Sequence, residues 1–163
     1  MNLWWLAVLV LVLVAAVALW KYAGSPLKHR NLSVDQLRKY FDVLIDRGYP
    51  NGFMIIEVPQ TAIFLQFVKE EGDEQSPKIR CDFPLAPWSR EYYVAVARLA
   101  SELNLSYRET SVGDNPKEVQ KFLHNEFGSR IALASRFVSR FLGEVVSLAG
   151  RPLTVYFRGV APG

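Results

Sequence analysis

From Leu3 to Trp20 the chain reads LWWLAVLVLVLVAAVALW, 18 residues without a charge or a polar face. A helix that packs on a soluble core keeps one polar side, and this run has none. As a helix it would span about 27 Å, close to the hydrocarbon thickness of a bilayer. Its six Leu and five Val favour insertion. Trp4, Trp5, Trp20 and Tyr22 stand at the two ends, where aromatic rings settle at the membrane interface, and Lys21 follows the run directly. Residues 1–22 are therefore expected to form a transmembrane anchor in contact with membrane lipid. The rival is a cleaved signal peptide, for which Ala16-Val17-Ala18 supplies the small-x-small form. Against cleavage, Met1-Asn2 carries no Lys or Arg, and the run continues through Leu19 and Trp20.

The pattern then changes. Gly24, Ser25 and Pro26 break the helix, so residues 23–31 read as a juxtamembrane linker and residues 32–163 as the folded domain. Ser33 and Gln36 have capping-box spacing. Val34, Leu37, Phe41 and Leu44 follow on one helical face, and Gly48 and Pro50 stop the helix. Two β-rich runs come next, Phe53 to Val58 and Ala62 to Val68, split by Pro59-Gln60. Both faces of both runs are largely apolar, the mark of strands that are central or covered on two sides. Lys78 to Phe83 reads as a third strand, and the three make an antiparallel meander.

A second helix, capped by Ser89, is expected from Ser89 to Leu103, with Tyr92, Val96, Leu99 and Leu103 as its stripe. A weaker strand follows from Leu105 to Val112. Asn115-Pro116-Lys117-Glu118 then reads as a helix start, with Val119, Phe122, Leu123 and Phe127 as its apolar face and Gly128 as its stop. A last helix is expected from Ser129 to Gly150, with Arg136 and Arg140 on its polar side, and a short strand from Leu153 to Arg158 closes the domain. The fold class is α+β, helices packed on a mostly antiparallel sheet.

Charge sharpens the picture of the anchor. No Lys or Arg precedes the apolar run, whereas Lys21, Lys28, Arg30, Arg38 and Lys39 follow it. The positive-inside bias places the domain in the cytoplasm. The chain is thus expected to be a single-pass protein of a bacterial inner membrane. The net charge of +3 is unevenly spread. Residues 21–50 hold six Lys/Arg against three Asp/Glu, residues 51–128 eight against twelve, and residues 129–163 five against one. Beside a membrane anchor, phospholipid headgroups account for the basic flank more simply than nucleic acid does.

Chemistry narrows less. The single cysteine, Cys81, excludes an intramolecular disulfide. His29, His124 and Cys81 are far apart and lack ligand spacing, so neither a metal nor any other cofactor is expected. His124 reads as an exposed helix position. Cys81 reads as a half-buried strand residue without a His partner to activate it. Glu57 interrupts an apolar strand and reads as an edge or solvent-facing position; Asp82 reads as a surface partner for Arg80. Arg136 and Arg140 would form a basic face that meets anionic lipid, an acidic partner, or the acidic middle of the chain.

Gly52-Phe53-Met54-Ile55-Ile56-Glu57, followed by Phe64-Leu65-Gln66-Phe67, is similar to the strand, turn, aromatic-x-Gln-Phe run of YbjN-like proteins. With the order helix, three-strand meander, helix, strand, helix, roughly Leu32 to Val112 resembles the small α/β fold of type III secretion chaperones and the YbjN-like branch. The resemblance implies a non-enzymatic domain, often dimeric, that binds peptides or partner proteins. The expected function is then a membrane-anchored domain that binds a protein or peptide partner near the cytoplasmic membrane surface, with Phe64, Phe67, Arg136 and Arg140 as partner-binding residues. The alternatives are a homo-oligomeric structural subunit, and an enzyme or small-ligand domain built from scattered residues such as Glu57, Asp82 and Tyr107. No nucleic-acid partner is expected.

Overall fold

Ser33 and Gln36 open the first helical segment as their spacing requires: the Gln36 side-chain oxygen accepts the Ser33 backbone N–H at 3.0 Å. In the computed structural model, which describes residues 27–71, 77–112 and 120–161, a 3₁₀ turn (Val34–Gln36) leads into α1 (Leu37–Arg47). Strands β2 (Gly48–Glu57), β3 (Phe64–Lys69) and β4 (Ile79–Pro84) follow, then α2 (Tyr93–Glu102), β5 (Ser106–Val112) and β6 (Gln120–Gly128). Helix α3 (Ile131–Arg140) runs into a π turn (Phe141–Val145), and β7 (Leu153–Val160) ends the order. One further strand, β1 (Leu27–Leu32), precedes the helices.

The seven strands form one sheet in the order β1-β7-β2-β3-β4-β6-β5, every pairing antiparallel. The meander β2-β3-β4 lies at its centre, as its doubly apolar strands require. Helix α1 packs on β2, β7 and α3, helix α2 on β5, β6 and α3, and helix α3 on β6. All the side chains that meet the helices come from one face. Cross-strand neighbours on that face run Leu27, Phe157, Met54, Phe67, Cys81, Asn125 and Tyr107. The core is aromatic: Phe67 stands edge-on to Phe41 of α1 with centroids 4.7 Å apart, and Phe127 lies 5.7 Å from Phe67 and 5.4 Å from Phe137 of α3. Each fully buried Phe contributes roughly 1.5–3 kcal/mol from its burial.

Four expectations are corrected. The linker over residues 23–31 overlaps β1, whose Leu27, Lys28 and His29 pair with Phe157, Tyr156 and Val155. The folded domain therefore begins before residue 32. An exposed edge strand made of Lys28, His29 and Arg30 has no apolar alternation to announce it; backbone pairing with β7 creates it. The helix drawn through to Gly128 is strand β6 where the structure describes it, Gln120–Gly128; Asn115 and the start signal lie outside the described residues. The last helix ends as an α-helix at Arg140 rather than at Gly150, because the π turn brings the Val146 N–H to the Phe141 carbonyl and Ser147 takes a left-handed φ of 56°. Ser89 does not cap α2. Its hydroxyl accepts the Ala86 N–H at 2.9 Å and donates to the Pro84 carbonyl, holding a turn ahead of the helix.

Residues 1–22, the expected anchor with Trp4, Trp5, Trp20 and Lys21, lie outside the described residues. Among the described residues no helix is long and apolar enough to cross a membrane.

Candidate functional site

The three helices leave the second face of the sheet to side chains alone. Its central row runs across all seven strands: Lys28, Tyr156, Ile55, Gln66, Asp82, His124 and Arg108 are successive cross-strand neighbours. The row changes character half-way. Through β7 and β2 it is apolar and aromatic, with Lys28 at its β1 end; toward β5 it is ionic.

The apolar half is concave. Phe53, Ile55, Phe64 and Tyr156 floor a groove of about 650 Å³, closed at one end by the β2–β3 turn through Thr61, Ala62 and Ile63. That volume lies in the usual range of binding clefts. The turn is rigid. Gln60 adopts φ 65°, Thr61 returns its N–H and its hydroxyl to the Val58 carbonyl at 3.2 and 2.7 Å, and the Thr61 hydroxyl oxygen accepts the Ile63 N–H at 3.1 Å. Phe64 is steadied from the side by Trp88, centroids 4.9 Å apart. Phe53, Ile55, Phe64 and Tyr156 are all half-buried, outside the helix-covered core. Charges stand at the rim: Arg158 is the cross-strand partner of Phe53, Glu57 is the partner of Phe64, and the Lys28 ammonium sits over the Tyr156 ring at 4.5 Å.

The ionic half is a closed network. Asp82 accepts from Arg80 Nε at 2.8 Å and Nη2 at 3.3 Å, and its Oδ1 lies 2.6 Å from His124 Nδ1. On the other side of the ring, His124 Nε2 and the Thr110 hydroxyl are hydrogen-bonded at 2.5 Å. Arg80 also reaches Glu70 at 3.0 Å. Asp82 and His124 are each 9% exposed, and the Phe122 ring stacks beside the imidazole. The connectivity is that of an acid–base relay. Here it joins side chains of β4, β6 and β5, with both oxygens of Asp82 and both ring nitrogens of His124 occupied, and so ties three strands in register.

Of the expected partner-binding residues, Phe64 lies in the groove. Phe67 does not: successive strand residues point to opposite faces, and Phe67 is fully buried between Phe41 and Phe127. Arg136 is exposed on α3. Arg140 is bound on both sides, to Glu144 at 2.5 and 2.7 Å and to Glu102 of α2 at 2.6 Å. Its guanidinium is the main cause that holds both carboxyls below the usual range; Arg98 adds to this at Glu102 and Arg136 at Glu144. Arg140 is thus ion-paired and Arg136 is exposed, both on the helix side of the sheet, away from the groove.

The scattered set Glu57, Asp82 and Tyr107 is not brought together. Glu57 is half-buried at the groove rim, Asp82 lies in the network, and Tyr107 stands in the row on the helix side. His124 is a buried strand residue, not an exposed helical one, because β6 replaces the expected helix. Cys81 is fully buried, and burial followed by the Asp82 charge pushes its thiol well up, away from thiolate chemistry. No group of three or more metal-ligating side chains occurs among the described residues. Comparison with protein-family models, curated proteins and solved structures finds nothing that matches this chain.

The residues that sequence reasoning missed are Tyr156, Arg158 and Lys28. Their signal was the doubly apolar pattern of β2 and β3, which implies a cover on both sides. The structure supplies helices for one side only.

Proposed function

We propose that this chain is a membrane-anchored, non-enzymatic domain that binds a protein or peptide partner close to the cytoplasmic membrane surface, with the groove on the helix-free face as its partner site. One observation carries the reading: a concave, aromatic floor that no element of the described domain covers. Half-buried aromatics in a concave patch are the usual anchor points of protein interfaces. The position fits a membrane-proximal role. Residues 21–26 separate the apolar run from β1, and so short a stretch reaches at most about 20 Å. Strand β1 borders β7, which supplies Tyr156 and Arg158 to the groove. The anchor would confine the domain and its partner to one surface and raise their effective concentration. The run Gly52 to Glu57 followed by Phe64 to Phe67, which resembles the YbjN-like branch, supports the same class of activity.

The test is a crosslinked pull-down of the tagged full-length protein from membranes, read by mass spectrometry. Ile55→Asp and Phe64→Asp are expected to lose the dominant partner, whereas Arg136→Glu on α3 retains it. Equal recovery from all three variants would move the partner site off the groove, and recovery of the chain alone would favour a homo-oligomer.

A further inference from the structure

Resting on the reading of the groove as the partner site, we infer the chemistry of its occupant: an extended apolar segment carrying an acidic side chain at one end and a basic one at the other. The groove is polar in the sense of a dipole. Arg158 stands beside Phe53, and Glu57 lies four positions further along the same strand, with Ile55 and Tyr156 between them. Four strand positions span about 13 Å. Among the described residues neither Arg158 nor Glu57 forms an ion pair, whereas Arg80 and Arg140 each hold carboxylates. Lys28, the third charge, is held over the Tyr156 ring. An extended chain places side chains i, i+2 and i+4 on one face at the same spacing. Its end residues then meet Arg158 and Glu57 while the middle one lies on Ile55 and Tyr156. The separation of the two charges matches the rise of an extended chain residue for residue, and this match is the ground for the extended form.

The full-length protein in nanodiscs of neutral lipid is titrated with three fluorescent peptides that share a valine-tyrosine-valine centre. One is flanked by aspartate and lysine, one by two aspartates, one by two lysines. The mixed peptide is expected to bind tightest, by roughly two- to fivefold for each mismatched end, the scale of a solvent-exposed ion pair. Arg158→Glu is expected to move the preference to the doubly basic peptide, and Glu57→Lys to the doubly acidic one, with circular dichroism confirming that both variants stay folded. Equal binding of the three peptides, still abolished by Phe64→Asp, would overturn the inference and leave the groove as the partner site. Absence of peptide binding, or indifference to Phe64→Asp, would overturn both. Loss of mixed-peptide binding when the nanodiscs carry anionic lipid would also overturn it, by assigning the Arg158 end to a headgroup.

Discussion

Asp82 holds three donors: two nitrogens of Arg80 and the ring nitrogen of His124. Both the carboxylate and the imidazole are 11% exposed at the side chain, so neither can turn to water for a substitute. Asp82→Asn removes the charge that Arg80 and His124 face and places an amide N–H₂ against one of those donors. The expected loss is about 2–4 kcal/mol of unfolding free energy, read from the urea midpoint; a shift worth less than about 0.5 kcal/mol would show that the network is not the tie it looks to be. His124 also shows where residue-level reading stops. Its neighbours in the sequence suggested an exposed helix position, and only the pairing of β6 with β4 and β5 puts Asp82 on one side of it and Thr110 on the other.

At the scale of elements, β2 and β7 approach so closely near their ends that side chains are shut out. A Cβ on Gly159 would stand 3.0 Å from the Gly52 Cα, and one on Gly52 would stand 2.2 Å from the Gly159 carbonyl oxygen. Gly159 also has φ 66°, a left-handed conformation that costs other residues about 1–2 kcal/mol. Gly159→Ala is expected to lower stability by about 2–3 kcal/mol and to unzip β1 and β7 first, which hydrogen exchange of Val155 and Phe157 amides would reveal. Uniform loss of protection across the sheet would count against that order. Most elements were legible: α1, the meander β2-β3-β4, α2, β5 and β7 follow from apolar period, caps and turn residues. Strand β6 was not, because Phe122, Leu123 and Phe127 have helical spacing and Asn125, fully buried in the core row, breaks the alternation a strand should show. Strand β1 was hidden by exposure of nearly every residue. The groove was half legible: Phe53, Ile55 and Phe64 lie in strands whose two faces were both read as apolar, while Tyr156 and Arg158 reach it only through the non-sequential neighbour β7.

Across the whole molecule, charge and greasiness are sorted. One half of the open face is apolar, the other is ion-paired, and α3 is bridged to α2 through Arg140 and Glu102. That bridge makes a small part of the domain's stability acid-sensitive. Glu102 and Glu144 titrate below the ordinary glutamate value of 4.5 because Arg140 binds their charged forms. Their contribution is complete above that pH and is lost as pH falls through the lower folded values. Arg140→Gln is expected to separate from the native chain in thermal unfolding above pH 4.5 and to converge with it in more acidic buffer; a constant gap down to strongly acidic pH would contradict the assignment. The sheet order has another consequence, for biosynthesis. Strand β7 fills the slot between β1 and β2, yet it is made long after both. At about 5–20 residues per second, a ribosome needs roughly 5–20 s to travel from the end of β2 to the start of β7. For that interval the nascent chain would carry a sheet with an empty place in it. The strand edges left waiting there are where a neighbouring nascent chain would pair wrongly, and where a chaperone would do most to help.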